Sequence, residues 1–103
     1  AKRAGIARAL ALDPEILFLD EPSAGLDPIT SAGLDHLIKD LARDLGATFV
    51  VVTHELASIL EIGDRCIMLD AAEKGMIAEG KPTVLRDTAE HPTVRAFFRR
   101  EAA

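Results

Sequence analysis

Three short apolar runs, Ile16–Leu19, Phe49–Val52 and Cys66–Leu69, constrain the fold more than any other feature of the chain. Each is four residues long, shows no polar–apolar alternation, and predicts a strand covered on both faces. The segments between them carry helical spacing instead. Leu34, Leu37, Ile38, Leu41 and Leu45 fall on one stripe, Asp27 caps its start with Pro28 at the first helical position, and Gly46 ends it. Glu55–Ile62 predicts a shorter helix with Leu56, Ile59 and Leu60 inward, stopped by Gly63. Strand, helix, strand, helix, strand reads as an α/β fold, a parallel sheet joined by crossover helices.

After Asp70 the pattern changes. A turn at Glu73-Lys74-Gly75 followed by an extended Met76–Glu79 predicts a hairpin. Thr83 caps a brief helix, and Pro92 starts a last one carrying Val94, Phe97 and Phe98. The opening AKRAGIARALAL reads as a helix already under way: Ile6 and Leu10 share a face, Lys2, Arg3 and Arg8 are charged, and no cap precedes them. The expectation is a numbering that starts inside a larger domain, with residues 1–103 forming one domain or part of one.

Composition narrows the function classes. With 49% hydrophobic and 28% charged residues the chain is globular, and a net charge of −5 argues against a nucleic-acid or anionic-membrane surface. Cys66 can form no internal disulfide and reads as a buried structural thiol. No apolar stretch is long enough to cross a bilayer, so the expected compartment is the cytoplasm.

The chemistry collects at strand ends. Asp20 and Glu21 follow the first run directly, and Thr53-His54-Glu55 follow the second. Parallel strands carry both groups to the carboxyl edge, where open α/β sheets bind ligands. Any one of these residues alone is an ordinary polar residue at a strand end; three at the ends of consecutive strands are a constellation. Adjacent carboxylates disfavour each other's ionisation, and a cation offsets that cost. An aspartate there can hold Mg2+ through water, the adjacent glutamate can orient or deprotonate an attacking water, and a histidine opposite can stabilise charge on a terminal phosphate.

ILFLDEP (residues 16–22) resembles the Walker B strand of ABC-type ATPases. The resemblance makes Asp20 the metal-side acid and Glu21 the catalytic glutamate. SAGLD (23–27) is similar to the D-loop of that family, which places Ser23 and Asp27, with Asp20, on the nucleotide side; Asp27 is equally a helix cap. VVVTHE makes His54 the switch histidine. The first helix resembles the one that follows the family's Ser-Gly-Gly signature, and GMIAEGKP its C-terminal hairpin. GLDPITSAGLDHLI, THELASI and HPTVRAFF most resemble the ATPase of Mla-type phospholipid transport systems, which serve outer-membrane integrity. The implied fold is the C-terminal part of a P-loop NTPase domain. The implied cofactors are ATP and Mg2+, and the implied partners a membrane permease and a second ATPase subunit, at the inner face of the cytoplasmic membrane.

The family's Walker A loop, glutamine loop and signature are not in these residues and are expected before Ala1. Gly75-Met-Ile-Ala-Glu-Gly80-Lys81 has Walker A spacing, but Pro82 follows where a Ser or Thr hydroxyl is needed, and the segment sits in the expected hairpin. The chain alone is therefore expected to be inactive and to self-associate as a homo-oligomer through an exposed sheet edge or apolar face. Two other readings stay open: an ABC-type ATPase outside transport, in DNA repair or translation, and a non-catalytic interaction module.

Overall fold

The computed structural model describes residues 2–99, with side chains from Gly5 to Arg99. The charged side chains expected at Lys2 and Arg3 lie outside the described ones. The chain divides after His54 into two units.

In the first unit, helix α1 (Lys2–Leu10) leads to strand β1 (Ile16–Asp20), helix α2 (Pro28–Leu45) and strand β2 (Thr48–Val52). The two strands pair in parallel, from Ile16 opposite Thr48 to Asp20 opposite Val52. Parallel neighbours need a long crossover, and α2 supplies it. Asp27 caps α2 by accepting from the Thr30 backbone N–H, and Pro28 follows where its missing N–H is not needed. At the other end Gly46 takes a left-handed φ of 68° and gives its N–H to Ala42 O, the conformation glycine reaches without steric cost. Ile6, Leu17, Leu34 and Ile38 are the buried apolar residues here, with Leu19, Phe49 and Val51 partly covered on the same sheet face as Leu17. Leu45, expected on the inward stripe of α2, is exposed.

The expectation of strands covered on both faces fails. Ile16, Phe18, Val50 and Val52 keep 52%, 71%, 39% and 57% of their surface in solvent. The parallel sheet has two strands rather than three, and one of its faces stays bare. Among the described residues of this unit no element covers that face, so the uniform apolar character of the runs outstrips the cover the unit provides.

The second unit holds helix α3 (Leu56–Ile62), strands β3 (Cys66–Asp70) and β4 (Gly75–Gly80), and helices α4 (Pro82–Thr88) and α5 (Pro92–Phe98). The third apolar run pairs antiparallel with β4, through a bulge between Met68 and Leu69. An antiparallel pair needs only a tight turn, and Lys74 at φ 56° makes one. Leu56, Val94 and Phe98 form the core, with Leu60, Met68, Ile77 and Leu85 packed against it. The Phe97 and Phe98 rings meet edge to face at 5.3 Å. Arg65 and Glu79 pair across the hairpin. Cys66, expected to be buried, is only partly so, and that partial burial pushes its thiol up.

Helix starts in this unit follow proline. Thr83 does not cap α4: Lys81 stands at that position and Pro82 occupies the first turn, because the fixed proline φ already suits a helix. α5 is capped by a histidine. His91 Nδ1 accepts from the Thr93 N–H at 3.1 Å, while Nε2 lies 2.9 Å from Glu73 Oε1 in the hairpin turn. An accepting Nδ1 leaves the hydrogen on Nε2, which donates to Glu73.

Gly63 stops α3 for reasons of space. Its φ is −76°, which any residue adopts, but a Cβ would stand 2.6 Å from Ile59 O and 3.0 Å from Pro82 Cγ. Gly63→Ala is therefore expected to destabilise this unit by about 1–3 kcal/mol, the cost of overpacking. Chemical denaturation measures it; an unchanged midpoint would show that α3 and α4 part without cost.

Candidate active site at the ends of the parallel strands

The parallel register decides which side chains meet. Asp20 is the last residue of β1, level with Val52. The ladder runs one residue further, since the Glu21 N–H donates to Val52 O at 2.7 Å. There the backbone turns over: Glu21 has a φ of 46° and precedes Pro22. A left-handed glutamate is strained, and a following proline disfavours helical conformations further. Strain of this kind costs on the order of 1–3 kcal/mol and gathers at functional sites.

The turn aims the Glu21 carboxylate at the end of β2. Oε1 lies 2.7 Å from His54 Nδ1, and Oε2 lies 3.4 Å from Thr53 Oγ1, which donates to it. With Glu21 ionised, Nδ1 carries the hydrogen and donates as well. The Glu21 side chain is partly buried and His54 is exposed. Asp20, Glu21 and His54 thus share one sheet edge, with Glu21 and His54 in direct contact.

The residues that follow build a tight turn. Ala24 N–H reaches Glu21 O at 3.1 Å, Leu26 N–H reaches Ser23 O at 3.1 Å, and Gly25 takes a φ of 79°. Ser23 is buried. Asp27 has both oxygens engaged by Thr30: Oδ1 accepts from the backbone N–H at 2.9 Å and Oδ2 from the hydroxyl at 2.8 Å. Asp27 is thus engaged with Thr30, and Ser23 sits in the turn itself. Thr53, whose hydroxyl reaches the Glu21 carboxylate, was not among the candidate site residues of the sequence reading. The signal was there: a hydroxyl immediately before His54, at the end of the same strand.

Asp20 fits magnesium in one respect. Mg2+ keeps several waters and takes one or two carboxylates plus substrate phosphates, so a single exposed aspartate at a strand end suits it. Among the described residues no group of three His, Cys, Asp or Glu side chains could hold a metal. A phosphate cradle does not fit. Gly75–Gly80 is strand β4 and Pro82 opens α4, so the Walker A spacing lies in extended backbone rather than in a loop before a helix.

The chain is 42% identical over 98 residues to the intermembrane phospholipid transport system ATP-binding protein MlaF of Escherichia coli strain K12, covering 95% of this chain and 35% of that protein. It is 42% identical over 96 residues to the methionine import ATP-binding protein MetN of Xanthomonas campestris pv. campestris, covering 93% and 28%. The glycine betaine uptake system ATP-binding protein YehX of Escherichia coli strain K12 is 36% identical over 99 residues, covering 96% and 32%. The chain is homologous to ABC transporter ATP-binding subunits. It spans about a third of the length of these curated relatives. No protein-family model matches it. Its small α/β fold, with a parallel strand pair, helices and an antiparallel hairpin, accords with homologues that are P-loop ABC ATPases.

Asp27 offers a test of the turn that carries Glu21. The Thr30 backbone N–H, and then its hydroxyl, hold the Asp27 carboxyl below its ordinary value of 3.8. A lowered folded value contributes stability above the unfolded value, lost as pH falls through the folded one. Asp27→Ala is therefore expected to lower the melting temperature at pH 7. The gap to wild type should narrow as pH drops below 3.8; a gap that stays constant would sever the cap from the charge.

Proposed function

We propose that these residues are the C-terminal part of the nucleotide-binding domain of an ABC transporter ATPase and carry its hydrolytic edge. The observation that carries this reading is the 2.7 Å contact between Glu21 and His54 across the ends of two parallel strands. In this reading Glu21 accepts a hydrogen bond from the attacking water and takes its proton. His54 orients the carboxylate through its Nδ1–H and, with a hydrogen on Nε2 as well, adds positive potential where the phosphate charge develops. Asp20 would hold Mg2+ through its water shell, and the bound ion would offset phosphate charge. Ser23 and Asp27 shape the turn beyond Glu21 toward nucleotide and a second ATPase subunit, Asp27 by fixing the start of α2.

The coarse role is supported by relatives that serve methionine, glycine betaine and phospholipid systems. We read the transported class as phospholipid from the resemblance of GLDPITSAGLDHLI, THELASI and HPTVRAFF to the Mla-type ATPase; overall identity does not separate the classes, since MlaF and MetN both match at 42%. The partner is then a membrane permease and the site of action the inner face of the cytoplasmic membrane. No described helix is long and apolar enough to cross a membrane; in this reading the attachment runs through the permease. A DNA-repair or translation role, or a non-catalytic module, gains no support from these relatives.

In the full-length polypeptide, Glu21→Gln is expected to leave ATP bound and cut turnover by at least about a hundredfold, the span of a general base. Wild-type turnover in that variant would end the reading. Copurification with a lipid-type permease rather than an amino-acid permease decides the substrate class.

The 103 residues by themselves are expected to behave differently. Backbone N–H groups of a Walker A loop supply much of the grip on phosphate, so calorimetric titration with Mg-ATP should give no binding heat. Light scattering should give a mass above the monomer, because Ile16, Phe18, Val50 and Val52 present one apolar face. Tight nucleotide binding, or a clean monomer at tens of micromolar (about where exposed apolar surface drives association), would overturn the respective expectation.

A further inference from the structure

We propose that Thr53 is a positioning residue for the Glu21 carboxylate, so that consecutive residues at the end of β2 grip its two oxygens separately. His54 takes Oε1 at 2.7 Å and Thr53 takes Oε2 at 3.4 Å. The inference rests on the reading of Glu21 as the hydrolytic base and adds a residue to it.

One contact does not orient a carboxylate. With His54 alone, the group still rotates about its terminal bond, and either oxygen can face the imidazole. A donor on the second oxygen removes that freedom and decides which lone pairs point outward. Thr53 suits the task because of where it sits and what it is. Val52 O accepts from the Glu21 N–H, so the residue after Val52 is tied to the Glu21 backbone through a single hydrogen bond. A β-branched side chain is stiff at χ1, which keeps the hydroxyl aimed. Thr53 is partly buried, where a hydroxyl contact with a carboxylate is less diluted by water.

The 3.4 Å separation is long for a hydroxyl donor. Catalytic hydrogen bonds are often long without substrate and tighten in the working complex. A resting contact at this distance therefore leaves Glu21 held by His54 and lets Thr53 complete the grip when the site is loaded. The left-handed φ of 46° at Glu21 makes such tethering necessary, since an untethered residue there would relax toward ordinary backbone.

The test uses the full-length polypeptide and steady-state ATP hydrolysis. Thr53→Val keeps shape and removes the donor; Thr53→Ser keeps the donor. Thr53→Val is expected to lower kcat on the order of tenfold, the size set by losing one hydrogen bond to a charged group, with KM for ATP held within about twofold. Thr53→Ser is expected to recover most of kcat. Should Thr53→Val not fold, Thr53→Ala takes its place with the same expectation. Wild-type kcat in the variant lacking the hydroxyl, or equal loss in the Ser variant, overturns the proposal. Glu21→Gln run in parallel separates the two failures: inactive Glu21→Gln beside fully active Thr53→Val refutes only the positioning role. Fully active Glu21→Gln refutes the reading of Glu21 as base and the positioning role with it.

Discussion

The parallel ladder between β1 and β2 is the constraint from which the site follows. Five residue pairs run from Ile16–Thr48 to Asp20–Val52, and the Glu21 N–H extends the ladder by one bond. Because both strands run the same way, the acids after the first and the Thr-His pair after the second arrive at one edge. An antiparallel pairing of the same runs would have sent Thr53 and His54 to the opposite end. Helix α2 is what makes the parallel pairing possible, and its caps at Asp27 and Gly46 set its length.

Much of this was legible in the sequence because the relevant signals are local. The cap at Asp27, Pro28 in the first turn, Gly46 after the helix and the hairpin around Lys74 each rest on one or two residues whose backbone preferences are strong. The convergence of Asp20, Glu21 and His54 was legible for a different reason: strand direction in a parallel sheet turns sequence position into spatial position. What was not legible depends on neighbours. The third apolar run looks like the first two, yet its partner β4 is antiparallel, and nothing in four consecutive apolar residues distinguishes the cases. Coverage of Phe18 and Ile16 was misread because a run reports what a strand would bury, not what is at hand to bury it. Gly63 was correctly placed as a stop, but its steric reason, the approach of Pro82, needs coordinates.

Two kinds of restraint act on Glu21. Its backbone is held in an unfavourable conformation by a single strong ladder bond, and its side chain is held by donors from the neighbouring strand. A carboxylate fixed in this way needs little reorganisation when charge moves, which is the condition under which electrostatic catalysis is largest. The second unit shows the contrasting use of a histidine. His91 spends one nitrogen on a backbone N–H and the other on Glu73, so its task is to fasten α5 to a turn. Two imidazoles each stand beside a glutamate, one at a strand edge and the other at a helix start.

The bare face of β1 has a consequence for alignment. In most sheets a one-residue slip is forbidden because it would throw the oily side chains into water and bring polar ones inside. Here Ile16 and Phe18 are as greasy as Leu17 and Leu19, so side-chain sorting offers little protection against sliding. The pins must lie at the two ends: the Thr48 N–H on Glu15 O at 3.0 Å before the strands, and the Glu21 N–H on Val52 O after them. The Glu21 backbone N–H is then a registration mark, and one residue both fixes the strand alignment and carries the carboxylate that meets His54.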